Sequence, residues 1–311
     1  MTRTVRFPSP IRGASDKIIR LANEFIDSNI NSGPETKQRR REQLTIFFRY
    51  FRGDIIDMDA AQYNAFIGWM RNEKKYRYET IHGIKIASIG FLRFLHRKGI
   101  RPEVEFKLQK VPRDQSRATA FSFAEYIRIL DVACEARAEF NYWPSACIVG
   151  WNTGLRISDV AYLKWSDVDW DANLIRVSTK KRANIKQVLE IPMEPELREH
   201  LRFLLETNYN PNSEYVLHEM VWEEEHKRCK LTDGFRVICD KAGLPNHSFK
   251  SFRHAFVTRM LNAEVDAKVI GSITGQSVGT VYHYVRHVSM DAKINAMRRA
   301  RERVMEITLP S

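Results

Sequence analysis

The chain has 311 residues, of which 43% are hydrophobic, so it can form two domains with a core each and is not a long disordered protein. Lys and Arg outnumber Asp and Glu by 50 to 38, and the formal net charge of +12 favours a polyanionic partner, most commonly nucleic acid. No apolar run approaches the ~20 residues needed to cross a bilayer, and the first residues do not resemble a signal peptide. We therefore expect a cytoplasmic protein with no membrane partner. The four cysteines form no C-x-x-C pair, which disfavours a zinc site.

Four segments before residue 100 repeat apolar residues at the spacing of an amphipathic helix. The first helix begins at Ser15 or Asp16, and the other three are predicted over residues 36–51, 59–70 and 79–98. Short helices of this kind form a compact all-α unit. Residues 100–117 contain two prolines, many charges and no periodicity, which indicates a linker. We place the domain boundary after residue 113, which gives domains over residues 1–113 and 114–311.

Two basic clusters in the first domain are candidates for binding phosphate groups. Aromatic residues interleave with the second cluster, and such surfaces suit contact with a nucleic-acid backbone. A solvated helix end would explain either cluster alone, but the two together in a basic chain favour DNA. The clusters are Lys37, Arg39, Arg40 and Arg41 in the second helix, and Lys74, Lys75 and Arg77 before the fourth.

The second domain is predicted to be mainly helical with one small antiparallel sheet. Ser122 and Glu125 form a capping box at the start of its first helix. An apolar helix over residues 143–151 is followed by Gly154, and Arg156 stands at the head of a helix over residues 157–165. Two alternating runs, 174–178 and 187–191, predict a hairpin whose tip carries Lys180, Lys181 and Arg182. Further helices are predicted over residues 194–206, 231–242, 249–262, 267–273 and 291–305, with a short one near Tyr284.

Two arginines and a late tyrosine suggest attack on a phosphodiester. A guanidinium fork matches the nonbridging oxygens of a phosphate under attack and stays charged at physiological pH. A phenol oxygen can form a covalent phosphoester, and a lysine can protonate the departing 5′ oxygen. Arg156, Arg253 and Tyr284 are the residues that fit the first two requirements. No carboxylate cluster stands out as a metal site, which disfavours a metal-dependent nuclease.

The ordered motifs resemble those of the tyrosine recombinases, the phage integrase family. The resemblance is carried by Thr-Gly-Leu-Arg-Ile-Ser-Asp at 153–159, a hairpin lysine, Ser-Phe-Arg-His at 251–254, Gly275 and a tyrosine near the C-terminus. It implies a C-terminal α+β catalytic domain with a tail helix, preceded by a helical core-binding domain. The motifs of the family occur in order across the whole second domain. The first domain resembles the family's core-binding domain in its size and number of helices.

The resemblance also implies a role for each site residue. Arg156 and Arg253 are expected to clamp the scissile phosphate, with Asp159 supporting Arg156. Lys181 matches the hairpin general acid, and Lys180 is its rival. Two positions depart from the usual family residues, since Lys250 stands in place of His and Gln276 in place of His or Trp. Tyr284 is the expected nucleophile with Tyr282 as the alternative, and His254 is expected to pack or form hydrogen bonds inside the domain.

The function implied is site-specific DNA recombination through a 3′-phosphotyrosine intermediate, for integration or excision of a mobile element or a related rearrangement. We expect a homo-tetramer on double-stranded DNA, assembled through the C-terminal helix, in the nucleoid region of a bacterial or phage system. No cofactor or metal is required, and accessory DNA-bending or directionality proteins are compatible with it. Because the first helix begins near residue 15, we expect no further arm-binding domain. The alternatives are a DNA-binding regulator with a degenerate site and a relaxing enzyme similar to type IB topoisomerases.

Overall fold

The computed structural model describes residues 11–52, 55–103, 111–112, 120–135, 142–178, 188–226, 230–284 and 288–308. The chain divides into two compact units, Met1–Ser116 and Arg117–Ser311. The described part is mostly helical and includes one small antiparallel sheet, which confirms the predicted fold class.

The described residues of the first unit form four helices, at positions close to those predicted. An aromatic core that includes Phe47, Phe48 and Phe91 is fully buried between them. Asp59 and Gln62 form a reciprocal capping box at the start of the third helix, which satisfies two backbone donors there. The helices are α1 (Asp16–Asp27), α2 (Pro34–Phe51), α3 (Ala60–Asn72) and α4 (Tyr78–Arg97).

The second unit places helices around a three-stranded antiparallel sheet of order β1-β2-β3, in which Ile175 pairs with Ile191. Ser122 and Glu125 form the predicted capping box. The strands are β1 (Val168–Asp169), β2 (Leu174–Ser178) and β3 (Val188–Pro192). The helices are α5 (Phe123–Glu135), α6 (Trp143–Thr153), α7 (Ile157–Ala161), α8 (Pro195–Thr207), α9 (His218–His226), α10 (Leu231–Lys241), α11 (Lys250–Asn262), α12 (Ala267–Thr274), α13 (Val278–Tyr282) and α14 (Met290–Thr308), with a short 3-10 helix at Trp165–Asp167.

Two helices at the centre of the second unit pack closely. Helix α6 is buried on nearly every side, and it lies against α11. A Cβ atom on Gly150 of α6 would come within 2.9 Å of the Phe249 ring, so glycine allows this approach. The close packing brings the end of α6, which precedes Arg156, next to the helix that carries Arg253.

The predicted helix over residues 157–165 was wrong in its length. Helix α7 ends at Ala161 because the next backbone groups pair with a distant segment. The Trp165 amide donates to the Glu214 carbonyl at 3.0 Å, and the Val216 amide donates to the Leu163 carbonyl at 2.8 Å. Sequence reasoning also missed β1 and α9, which are short or largely polar.

Among the described residues, no helix has the length and apolar character needed to span a membrane. In that same part of the chain, no group of three or more His, Cys, Asp or Glu side chains could hold a metal ion. Cys147 and Cys239 are buried in the core of the second unit, where burial raises the pKa of the Cys239 thiol to about 12. Both cysteines therefore behave as core side chains.

Candidate active site

A tight turn after α6 positions Arg156. Gly154 has a φ of 63°, and a Cβ atom there would lie 3.0 Å from the Phe256 ring, so both conformation and space require glycine. The Thr153 hydroxyl donates to the Val149 carbonyl at 2.6 Å and accepts from the Leu155 amide at 3.2 Å. The turn therefore leaves Arg156 at the N-cap of α7.

The Arg156 side chain lies beside a buried carboxylate. Its Nη1 atom is 3.5 Å from Oδ2 of Asp159. The Arg156 side chain is 33% exposed, whereas that of Asp159 is 2% exposed. A carboxylate fixed in the protein interior thus restrains a guanidinium that still reaches solvent, where a ligand could meet it.

Arg253 is buried and connects three segments of the second unit. From α11, its Nη1 donates to the Gly154 carbonyl at 3.1 Å, and its Nη2 donates to the Thr274 carbonyl. One contact joins it to the turn before Arg156, and the other joins it to the residue before Gly275. The structure therefore brings together the two predicted arginine segments and the predicted glycine turn.

The glycine turn places Gln276 against Tyr284. Gly275 ends α12 with a φ of 66°, and a Cβ atom on Gly271 would come within 2.8 Å of the Gln276 carbonyl oxygen. Gln276 Nε2 donates to the Tyr284 hydroxyl oxygen at 3.2 Å. The predicted substitute for the family's His or Trp thus contacts the predicted nucleophile.

The two candidate tyrosines differ in burial. Tyr284 is 6% exposed and packs in an apolar cluster with Val257, Ile270 and Val281, whereas Tyr282 is 61% exposed on α13. The Tyr284 amide donates to the Val281 carbonyl at 2.9 Å, which continues the turn after that helix. The environment of Tyr284 favours it over Tyr282 as the residue built into the site.

His254 is buried, as expected, but its partner was not predicted. Its ring meets the Tyr284 ring edge to face, with centroids 4.7 Å apart and an interplanar angle of 70°. The position of His254 next to Arg253 in the sequence predicts that its ring is buried in α11. It does not predict which side chain the ring contacts. The other nearby histidine, His247, stacks on Phe121 instead.

The remaining predicted catalytic residues are less enclosed. Lys250 is the first residue of α11 and is exposed, one turn before Arg253. Lys180, Lys181 and Arg182 lie outside the described residues, so their roles stay predictions. Strand β3, which follows this tip, is held beside the glycine turn, because α12 packs on β3 and Leu189 lies against Gly275.

The two predicted DNA-binding clusters of the first unit differ in their surroundings. Lys37 and Arg41 both approach Asp27, at 3.1 and 3.8 Å, so this acidic residue partly neutralises their cluster. Arg39 is exposed and Arg40 is half-buried. In the second cluster Lys74, Lys75 and Arg77 are all exposed, and the Lys74 Nζ atom lies 5.2 Å from the Trp69 ring centroid.

A helical unit that holds two arginines and a buried tyrosine around one glycine turn has the groups needed for phosphoryl transfer. The model of the phage integrase family matches residues 121–290, which is more than half of the chain. The chain is 28% identical to tyrosine recombinase XerA of Thermococcus kodakarensis, over 79% of this chain and 82% of that protein. It is 24% identical to tyrosine recombinase XerC of Oceanobacillus iheyensis, over 86% of this chain and 90% of that protein.

Solved structures share the fold. The Tn1549 transposon integrase in complex with a circular intermediate DNA superposes with a TM-score of 0.73 at 18% identity, over 91% of this chain and 99% of that one. A lambda integrase dimer bound to a core site superposes with a TM-score of 0.68 at 14% identity, over 87% of this chain and 94% of that one. The chain belongs to the phage integrase family, whose members are tyrosine recombinases. The resemblance in the motifs is confirmed, and the chain is a site-specific DNA recombinase.

Proposed function

We propose that this recombinase cuts and rejoins double-stranded DNA by attack of Tyr284 on a phosphate held by Arg156 and Arg253. The observation that carries this proposal is the pair of contacts around the glycine turn. Arg253 donates to the Thr274 carbonyl, and Gln276, two residues later, donates to the Tyr284 hydroxyl oxygen. A phosphate on the two arginines would therefore lie close to the segment that holds the phenol.

The proposed cleavage is one substitution at phosphorus. The Tyr284 oxygen forms a bond to phosphorus and passes its proton to solvent water, and the bond from phosphorus to the 5′ oxygen breaks. Lys181 donates a proton to that 5′ oxygen, with Lys180 as the alternative donor. The product is a 3′-phosphotyrosine, and attack by the 5′ hydroxyl of a partner strand reverses the step. Because a phosphoester is kept throughout, the reaction requires no ATP, and we expect the cationic side chains to supply the charge stabilisation that a metal ion could otherwise provide.

The two arginines would stabilise the charge that develops on the nonbridging oxygens. Arg156 offers a partly exposed guanidinium backed by Asp159, and Arg253 offers one fixed by carbonyl oxygens. Lys250 would add a third positive charge from α11, the helix that also carries Arg253. Gln276 would donate a hydrogen bond to the phosphate or the phenol without carrying charge.

DNA binding would combine both units. Lys74, Lys75 and Arg77 are exposed and are proposed to contact phosphates, together with Arg39 and Arg40 in the first cluster. Lys37 and Arg41 share Asp27, so their contribution is expected to be smaller. Arg182 is proposed to contact DNA from the hairpin tip.

We also propose a homo-tetramer on two duplexes. Helix α14 exposes Met290, Ile294 and Met297, which are apolar side chains suited to packing on a neighbouring subunit. The solved relative described as a dimer bound to a core site is compatible with assembly on DNA. A cytoplasmic location near the nucleoid, and a role in integration or excision of a mobile element, belong to the same proposal.

A nicked suicide duplex tests the reaction. The protein is incubated in EDTA with nicked duplexes tiled across the DNA that flanks its coding sequence, and covalent complexes are detected by denaturing electrophoresis. We expect a complex with the wild type and with Tyr282→Phe, and none with Tyr284→Phe. A wild-type protein that binds these duplexes without forming a complex would support the regulator instead. Product topology separates strand exchange from relaxation.

A further inference from the structure

We propose that His254 is a positioning residue for the nucleophile: its ring fixes the plane of the Tyr284 phenol, while Gln276 fixes the position of the phenol oxygen. The inference rests on the proposed function, because it assumes that Tyr284 attacks the phosphate. It gives a role in the reaction to a residue for which the sequence predicted only packing or hydrogen bonding inside the domain.

The contact between the rings is well defined. Their centroids lie 4.7 Å apart at 70°, and both residues are buried. Aromatic rings favour such edge-to-face geometry because the positive edge of one meets the negative face of the other. This preference depends on ring orientation, whereas the packing of aliphatic side chains does not. The His254 contact can therefore select one plane for the phenol.

The backbone alone gives Tyr284 limited support. It lies two residues after the end of α13, and its amide donates to the Val281 carbonyl. Such a turn places the Cα atom but leaves the torsions of the side chain to be chosen by its neighbours. His254 contacts the ring and Gln276 contacts the hydroxyl oxygen, so two points on the phenol are defined.

The position of His254 in α11 couples the nucleophile to the phosphate clamp. His254 follows Arg253 directly, and Arg253 is anchored to the Gly154 and Thr274 carbonyls. A single turn of one helix therefore carries a group for the phosphate and a support for the attacking ring. Nucleophilic attack requires reacting atoms about 3–3.5 Å apart and aligned, and a misplacement of about 1 Å can lower the rate roughly 100-fold.

The test compares two replacements that both fill the space but differ in ring character. His254→Phe keeps an aromatic ring against Tyr284, and His254→Leu removes it. His247→Leu is the matched control, because His247 also contacts an aromatic ring, but that ring is Phe121. For each full-length protein, DNA affinity, melting temperature and the single-turnover rate of covalent complex formation at saturating DNA are measured.

We expect His254→Leu to lower the rate about 10- to 100-fold while the DNA dissociation constant changes less than about twofold. His254→Phe should stay within about threefold of the wild type, and His247→Leu should show a wild-type rate at saturating DNA. Equal rates for His254→Leu and His254→Phe would overturn the inference. If His254→Leu fails to fold, a rate for His254→Phe as low as about 1% of wild type would overturn it too.

A second substrate separates positioning from proton transfer. A duplex with sulphur in place of the bridging 5′ oxygen has a leaving group that needs no proton, because thiols are much stronger acids than alcohols. The His254→Leu defect should persist on this substrate, and its disappearance would overturn a positioning role. If Tyr284→Phe still forms the covalent complex, the proposed function itself fails. If Tyr284→Phe is inactive and His254→Leu cleaves at the wild-type rate, the present inference alone fails.

Discussion

Arg253 and Tyr284 are held in the same unit by different kinds of contact. The guanidinium of Arg253 donates to two backbone carbonyls, Gly154 and Thr274, from segments far apart in the sequence. The phenol of Tyr284 contacts side chains instead, the Gln276 amide and the His254 ring, within an apolar cluster. Backbone anchors change little when neighbouring side chains vary, whereas side-chain anchors change with each substitution. The proposed phosphate clamp should therefore depend on the fold, and the reactivity of the proposed nucleophile on a few replaceable residues.

The largest effect should come from the backbone-anchored arginine. Arg253→Lys keeps the charge but loses the fork that reaches two carbonyls. We expect covalent complex formation to fall at least about 100- to 1,000-fold. Loss of a partner for a buried carbonyl should also destabilise the protein by about 1–3 kcal/mol. Single-turnover cleavage and denaturant unfolding measure the two effects.

Arg198→Lys is the matched control for that substitution. Arg198 also bridges two acceptors, the Trp170 carbonyl and the Asn173 side chain, but it has no contact with Arg253 or Tyr284 among those described. It should lose stability and keep a cleavage rate near that of the wild type. Equal cleavage defects in the two variants would show that the loss reflects stability and not the clamp.

The placement of Arg156 should depend on a side chain, Asp159, whereas that of Arg253 depends on backbone carbonyls. Asp159→Asn preserves shape but removes the buried charge that restrains Arg156 at 3.5 Å. We expect roughly a 10- to 100-fold slower cleavage at saturating DNA. Asp167→Asn, at a carboxylate that accepts from the Lys164 amide, serves as the control and should cleave near normally. A wild-type cleavage rate in Asp159→Asn would contradict the supporting role of Asp159.

The placement of Gln276 can be altered without changing Gln276 itself. Gly271→Ala introduces a Cβ atom 2.8 Å from the Gln276 carbonyl oxygen, so the turn must shift. We expect about a 10-fold slower cleavage because Gln276 moves relative to Tyr284. Gly68→Ala also replaces a helical glycine, but a Cβ atom there would come within 4 Å of no atom beyond its chain neighbours and its own helix backbone, so cleavage should stay unchanged. Wild-type cleavage in Gly271→Ala would show that the Gln276 contact is not needed.

The smallest effect concerns pH. Gln276 does not titrate, whereas histidine has a reference pKa of about 6.5. In Gln276→His the protonated form would add positive charge near the phosphate, so cleavage should be faster below about pH 6.5 and should decline by a few-fold as pH rises through it. The wild type should lack this step. Rate profiles from about pH 5.5 to 8 compare the two, and identical profiles would contradict a direct role for residue 276.

Local patterns predicted that Arg156 follows a glycine turn and that Arg253 lies in a helix, and tertiary pairing explains what the patterns missed. The Thr-Gly-Leu-Arg turn could be predicted because Gly154 must adopt a left-handed conformation before a new helix. Helix α7 was predicted too long because the Leu163 carbonyl pairs with Val216, more than 50 residues away. Helices α12 and α13 separate His254 from Tyr284 in the sequence. The burial of His254 in α11 could therefore be predicted, whereas its contact with Tyr284 could not.

The most direct test of the central claim is to identify the residue that carries the DNA. Covalent complexes formed on the suicide duplex are digested with nuclease and trypsin, and the nucleotide-bearing peptide is fragmented in a mass spectrometer. Cleavage after Lys268 and Arg286 gives one peptide that contains both Tyr282 and Tyr284, so fragmentation localises the adduct. We predict a phosphonucleotide on Tyr284 and none on Tyr282. An adduct on Tyr282 would contradict this account of the site.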